Sequence, residues 1–402
     1  MIYVSIIQQY TYTTSYQMKT SNILPVMSLF LMALFSHFET EAQKSIPEFE
    51  LGKNLGQTTE LKLSDLATEI SYIPLELTTK SLLAGINIIL PAGNLLVVAT
   101  RDNKIKVFDQ KGKYINDIGN IGKGPGEFGA INTVFWDDKA NEIIVYNSTE
   151  ANLIFYSLKG KHLRSFKVPY PAQELFRTQN GTYLGILFMP GQMGSAFGRH
   201  FIFNTEGMVK PFMTMPSGGK LQIPPLYQYA SFCRMGDKDL FVPTRSDTVY
   251  VVEGNEVRPF AVVNTNGKML PDELYYKSAT KAERSNYISN LSLQPVGNKS
   301  FCVEFQYQDK DYAAICNTAT GKITVVQPGA MGIPNDLDGG FPFRFEKNYL
   351  NGNLYTAIEA IYLMSAQKEG WIKNPNQKYL DVVKGLKEDS NPVIIKTKLK
   401  EN

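Results

Sequence analysis

The chain has 402 residues, with 41 basic against 38 acidic side chains and a formal net charge of +3. It therefore has neither the basic field of a nucleic-acid binder nor an acidic tail, and nucleic acid is not an expected partner. That length suffices for two average domains or one large repetitive one.

Residues 1–17 read as an extension upstream of the true start. Met18 and Lys19 supply a start and a positive charge, and Ile23 to Phe35 (ILPVMSLFLMALF) has the length of a signal-peptide apolar region, too short to span a bilayer. A signal peptide is expected over 18–43, with cleavage near Ala42. No cysteine lies in or just after the apolar run to carry a lipid anchor. The mature chain, 44–402, is expected to be a single domain without a transmembrane span, monomeric and exported to the periplasm or beyond.

A repeat sets in after this leader. IKVFDQKGKYINDI (105–118), NLIFYSLKGKHLRSF (152–166), HFIFNTEGMVKPFM (200–213), TVYVVEGNEVRPFA (248–261) and AAICNTATGKITVV (313–326) each read strand, glycine turn, strand. Their turn glycines, Gly112, Gly160, Gly207, Gly254 and Gly321, are spaced by 48, 47, 47 and 67 residues. The longer interval holds a polar, helix-like insertion over 268–290. Ahead of each hairpin lies another strand pair, for example INIILPAGNLLVVAT (86–100) and TVFWDDKANEIIVYN (133–147), so each unit carries four short antiparallel strands.

A sixth unit opens with FPFRFEKNYLNGNLYTAI (341–358), passes through helix-like stretches (358–370 and 377–389) and ends in NPVIIKTKLK (391–400). Four-stranded units of ~40–50 residues, repeated four to eight times, are the signature of a β-propeller. The expected fold is thus all-β: a six-bladed β-propeller of four-stranded antiparallel blades, with a helical insertion in blade five and short helices before the C-terminal closing strand. Each blade packs both faces on its neighbours, so the ring must close. LATEISYIPLEL (66–77) and NPVIIKTKLK are the strands available to complete a shared closing blade.

ISYIPLE (70–76), IKVFDQKGK (105–113), IGKGPGEF (121–128) and KEDSNPVIIKTKLK (387–400) together resemble the exported six-bladed β-propeller proteins abundant in Bacteroidetes. These are related in fold to TolB-like and NHL-repeat propellers. The resemblance covers nearly the whole mature chain and implies a cell-envelope or periplasmic setting, often in organisms that handle complex glycans. It brings no catalytic residues to transfer.

Within IGNIGKGPGEFGAI (118–131), Gly124, Gly126 and Gly129 show the G-x-G-x-x-G spacing of a dinucleotide loop. Such a loop needs a helix N-terminus after it, whereas Gly129 leads into a hairpin. No cofactor is expected. Gly124, Pro125, Gly126, Glu127 and Phe128 read instead as a structural crossing from blade one to blade two.

Aligned first strands bring Arg177 (LFRTQNG), Arg234 (FCRMGD) and Arg344 (PFRFEKN) to matching positions before the first turn. Three guanidiniums around one channel would suit carboxylate, sulfate or phosphate groups; the alternative is pairing with channel acids such as Glu174, Glu304 and Glu346. Tyr227, Tyr229, Phe341 and Phe343 are candidate platforms for sugar rings, against the alternative that they pack between blades. Arg101 and Arg245 read as hairpin tips in solvent.

His162 and His200 belong to no metal-ligand pattern, and no metal or catalytic residue is assigned. Asp336 and Asp338 in NDLDGG read as an Asp/Gly-rich loop between blades, with a calcium site that lacks the register of an EF-hand as the alternative. Cys233, Cys302 and Cys316 sit in strand-like runs as buried thiols, with a Cys302–Cys316 bridge across a hairpin as the alternative. The expected function is non-catalytic binding of a ligand or partner, a saccharide or anionic glycan fragment, at a funnel face. The alternatives are a propeller lyase or hydrolase acting on a sugar or lactone, and a protein-binding scaffold in the cell envelope.

Overall fold

The computed structural model describes residues 46–187, 200–212, 230–243, 246–271, 274, 280–372 and 374–401, with the side chain of Phe212 left out. The leader expected over 18–43 lies outside the described residues, as do Tyr227, Tyr229 and Arg245.

Six small antiparallel sheets form a ring, a six-bladed β-propeller. Blades one to five occupy 86–117, 131–167, 172–212, 231–263 and 292–326, and each strand hydrogen-bonds to the next in sequence. The innermost strands are Ile86–Ala92, Ile131–Asp137, Ala172–Arg177, Ser231–Met235, Ser292–Pro295 and Tyr349–Leu350.

Burial follows position in the blade. Leu95–Thr100 and Glu142–Asn147, second strands, are buried on both faces because each face meets a neighbouring blade, and they read as continuous apolar runs. His162–Lys167, an outermost strand, is mostly exposed and carries its charges there. The apolar core divides into six clusters among the described residues, one per seam between adjacent blades.

The turn glycines that mark the repeat, Gly112, Gly160, Gly207, Gly254 and Gly321, all adopt positive φ, the reason glycine recurs there. At Gly112, with φ of 84°, a Cβ would also stand 2.0 Å from the carbonyl oxygen of Pro74.

The sixth blade is assembled from both ends of the chain. Tyr349–Leu350 and Asn353–Ile358 are followed by Val393–Leu399, and Ala67–Pro74 supplies the outermost strand, antiparallel to Val393–Leu399. The two closing strands therefore finish the sixth unit itself. Between Asn353–Ile358 and Val393–Leu399 stand helices Ala360–Lys368 and Gln377–Lys384, where Tyr379 packs edge-on against Tyr72, ring centroids 5.4 Å apart. Of the insertion ahead of blade five, the helix Lys281–Ser285 is described, with Thr280 and Glu283 forming a reciprocal cap.

Upstream of the closing strand the chain straps the outer edges of two other blades. Glu48–Phe49 adds a parallel strand beside Glu256–Val263 of blade four. Farther along, the Thr59 amide donates to the Val325 carbonyl of blade five at 2.8 Å. Ser64 then donates its amide and hydroxyl to the Asp336 carboxylate at 2.8 and 2.6 Å. Asp338 accepts instead from Asn335 Nδ2 and the Gly340 amide, at 2.6 and 2.8 Å. The two aspartates of NDLDGG thus serve different local partners.

All three cysteines are free and buried. Cys302 pairs across the hairpin with Ile315, and Cys316 with Phe301. One residue out of register, the two thiols point to opposite faces of blade five, into different seams, and cannot be bridged.

Candidate functional site: the axial funnel

All six turns between first and second strands come to one face of the ring, termed the lower face. They rim a funnel of about 1240 Å³, with Gly93, Asp138, Asn180, Asp237, Asn298 and Asn351 each from a different blade. It narrows into an axial throat of about 250 Å³. Consecutive residues at the inner edges of blades one, two, three, four and six line that throat. Each innermost strand pairs on one side only, so its other edge turns unpaired backbone groups to the axis.

Trp136, Arg177, Arg234, Tyr349 and Leu350 line both spaces and form a collar between them. Arg177 and Arg234 end or nearly end the innermost strands of blades three and four. Arg177 is ion-paired to Asp137, the last residue of the innermost strand of blade two. Arg234 donates Nε to Asp239 at 2.9 Å and Nη2 to the Arg177 carbonyl oxygen at 3.2 Å. Asp239, only 3% exposed, takes the Gln179 amide at 2.7 Å on its other oxygen. Burial nevertheless raises the Asp239 pKa, with Arg234 opposing the shift. On the far side of the collar the Tyr349 hydroxyl reaches Asn298 Oδ1 at 3.5 Å.

The partners of these two arginines are Asp137 and Asp239, not Glu174, Glu304 or Glu346. Glu174 lies in the throat, where burial raises its pKa and the charge of Lys347 opposes the rise. Arg344 does not share the position of the other two. The first turn of blade six falls at Asn351 and Gly352, seven residues beyond Arg344, whereas Arg177 and Arg234 stand next to their turns.

Arg344 lies instead in a second cavity of about 580 Å³, between blades five and six. Its Nε and Nη2 donate to the carbonyls of Met331 and Ala330, both at 3.1 Å. Glu304 and Glu346 line the same cavity. Glu304 accepts from Gln294 Nε2 at 2.8 Å, and burial raises its pKa. Glu346 is pushed up to about 7, first by burial and then by the charge of Glu304, with Arg344 opposing.

Phe341 and Phe343 are each 5% exposed and belong to the core between blades five and six, with the Phe343 ring 5.2 Å edge-on from Phe345. The half-buried rings at the funnel are Trp136 and Tyr349. Sequence reasoning passed over them, although aligning the first strands of all six blades, rather than the three with arginine, would have set Asp137 level with Arg177. Arg101 is exposed, and His162 bonds Ser165 at 3.1 Å. Among the described residues, no group of three or more His, Cys, Asp or Glu side chains is placed to hold a metal ion.

The glycine crossing encloses its own carboxylate. Asn120–Ile121 pairs in parallel with Glu127–Phe128, and the Gly124 amide donates to Glu127 Oε2 at 2.7 Å. Gly126, at φ 75°, gives its carbonyl to the Tyr156 hydroxyl at 2.7 Å. Phe128 is buried against the Tyr156 ring. The loop amide that a phosphate would seek is thus already taken by Glu127.

Among solved structures, a protein of Bacteroides fragilis NCTC 9343 presumed to be exported aligns with a TM-score of 0.68 at 16% identity, over 89% of this chain and all of its own. A DUF4221 family member from Bacteroides vulgatus aligns at 0.43 and 11% identity, over 83% of this chain and 97% of its own. Virginiamycin B lyase from Staphylococcus aureus aligns at 0.38 and 12% identity, over 65% of this chain and 75% of its own. No curated protein matches significantly. Among the described residues no helix is long and apolar enough to cross a membrane. Residues 46–398, the whole ring with its strap, match the family described as a domain of unknown function, DUF4934, and the chain belongs to that family.

Proposed function

We propose that the protein is an exported, non-catalytic binding propeller that holds a saccharide in the lower funnel. The observation that carries this is the collar. Two aromatic rings, Trp136 and Tyr349, stand in one cavity wall with guanidinium, carboxylate and amide groups held in place by their own hydrogen bonds. Sugars present apolar C–H faces that lie on aromatic rings, and hydroxyls that pair with planar polar groups. A largely pre-formed concavity with a few fixed polar groups is where ligands bind. Export is supported by the leader read at 18–43 and by the similarity to the Bacteroides fragilis protein. A glycan array followed by calorimetry tests the reading: binding is expected, and it should weaken on Trp136→Ala while the fold is kept. No glycan binding, or binding indifferent to Trp136, would end it.

The Glu304–Glu346 cavity favours a second reading, a hydrolase or lyase. A carboxyl titrating near neutrality beside another is the arrangement that acid–base chemistry on sugars uses. Incubation with oligosaccharides, followed by chromatography of the products, decides it. Turnover lost in Glu346→Gln would support it, and absence of turnover in the unaltered protein would sink it.

A further inference from the structure

We infer that the funnel selects a neutral oligosaccharide over an anionic one, with the ligand held by the Trp136 and Tyr349 rings and by the side-chain amides of the rim. The inference rests on the funnel being the ligand site.

Charge balance is the first ground. Arg177 and Arg234 are the cations of the collar and each already has a carboxylate, while Lys347 in the throat beneath faces Glu174. The Arg177–Asp137 pair is 12% and 17% exposed, and Asp239 behind Arg234 is 3% exposed. A guanidinium so occupied offers hydrogen-bond direction more than net charge. At the lip, Lys139 and Lys400 stand among Asp138, Asp237 and Glu401, and Lys238 closes on Asp237 at 2.8 Å. Collar and lip together carry five cations against five carboxylates. With the charges of this mouth in balance, a polyanion gains no net attraction on entering it, and a neutral ligand loses none.

The distribution of side chains is the second ground. Trp136 comes from blade two and Tyr349 from blade six, and blade one between them contributes Gly93, beside which a Cβ would meet nothing within 4 Å. The blade between the two rings therefore leaves open room at the rim. Across the ring from Trp136 stands Asn298 of blade five, whose Oδ1 takes the Tyr349 hydroxyl at 3.5 Å, and across from Tyr349 stands Asn180 of blade three, with a donor and an acceptor on one plane, as a hydroxyl requires. At about 1240 Å³ the funnel exceeds the ~300–1,000 Å³ of ordinary small-molecule pockets, which favours several sugar rings over one.

The test is titration of the whole protein, read by tryptophan fluorescence and calorimetry, at low and high salt. The probes are neutral hexasaccharides (cellohexaose, xylohexaose, mannohexaose, maltohexaose) and acidic ones (hexagalacturonate and a heparin hexasaccharide). At least one neutral probe should bind with a Kd that salt leaves nearly unchanged, and Trp136→Ala and Asn180→Ala should each weaken it about tenfold or more. Unchanged far-ultraviolet dichroism would show that both variants fold. Tight, salt-sensitive binding of an acidic probe that Trp136→Ala abolishes would overturn the selectivity and leave the site standing. No response to any probe of either class would overturn both.

Discussion

Arg234 donates Nη2 to the main-chain carbonyl of Arg177 at 3.2 Å, so the innermost strands of blades three and four are joined by a side chain that is itself anchored on Asp239. With Arg177 paired to Asp137, the chain of polar links runs across blades two, three and four at the collar. Each of the two collar arginines is thus held by the blade before it.

Asp239→Ala should cost on the order of 3 kcal/mol, because it leaves Arg234 Nε and the Gln179 amide without their acceptor. The shift of the urea midpoint measures this. A loss below about 1 kcal/mol would mean the pair does little for the blade junction.

Glu346 should make the fold less stable as pH rises. Its folded pKa of about 7 lies above the ordinary value of 4.5, so between those values the native state holds more protons than the unfolded one. Unfolding free energy therefore falls as pH climbs through that window and levels off above it. Glu346→Gln should flatten the profile and leave the variant more stable than the parent at a pH of about 8, above both values. Parallel profiles for parent and variant would contradict the assignment.

Gly126→Ala combines a φ of 75° with a Cβ 2.6 Å from that of His162, and should lose at least about 1 kcal/mol. Glu127→Ala removes the acceptor of the Gly124 amide and should lose about 1 kcal/mol. Equilibrium denaturation of both measures the crossing. A neutral result for Gly126→Ala would show that the loop relaxes freely.

Thiol labelling without reductant should leave the native protein unmodified and add three alkyl groups after denaturation. All three cysteines are buried, and burial pushes the Cys233 thiol up to about 12 and Cys302 and Cys316 upward as well. Mass spectrometry gives the count. One group instead of three would reveal a disulfide.

Much of the fold was legible because its determinants are local. The turn glycines repeat because each third-to-fourth turn needs positive φ, and the strands show as apolar runs because both faces of a blade are covered. The closing strands stood out as unpaired apolar segments at the two ends, and Ala67–Pro74 does lie beside Val393–Leu399. Less of the site was legible. Arg344 looked like Arg177 and Arg234 by its neighbours in sequence, yet the short strand Tyr349–Leu350 carries its turn later and leaves Arg344 in another cavity.

By itself, then, the sequence determined the strand period, the number of units and the need for a closed ring, since backbone conformation and burial pattern are written within each unit of ~40–50 residues. The tertiary structure alone decided that Asp137 meets Arg177, that Cys302 and Cys316 face opposite seams, and that Trp136 and Tyr349 line one funnel. Those relations join different blades or depend on a one-residue register. They come into being only when the ring closes and sets each innermost strand at its own angle about the axis.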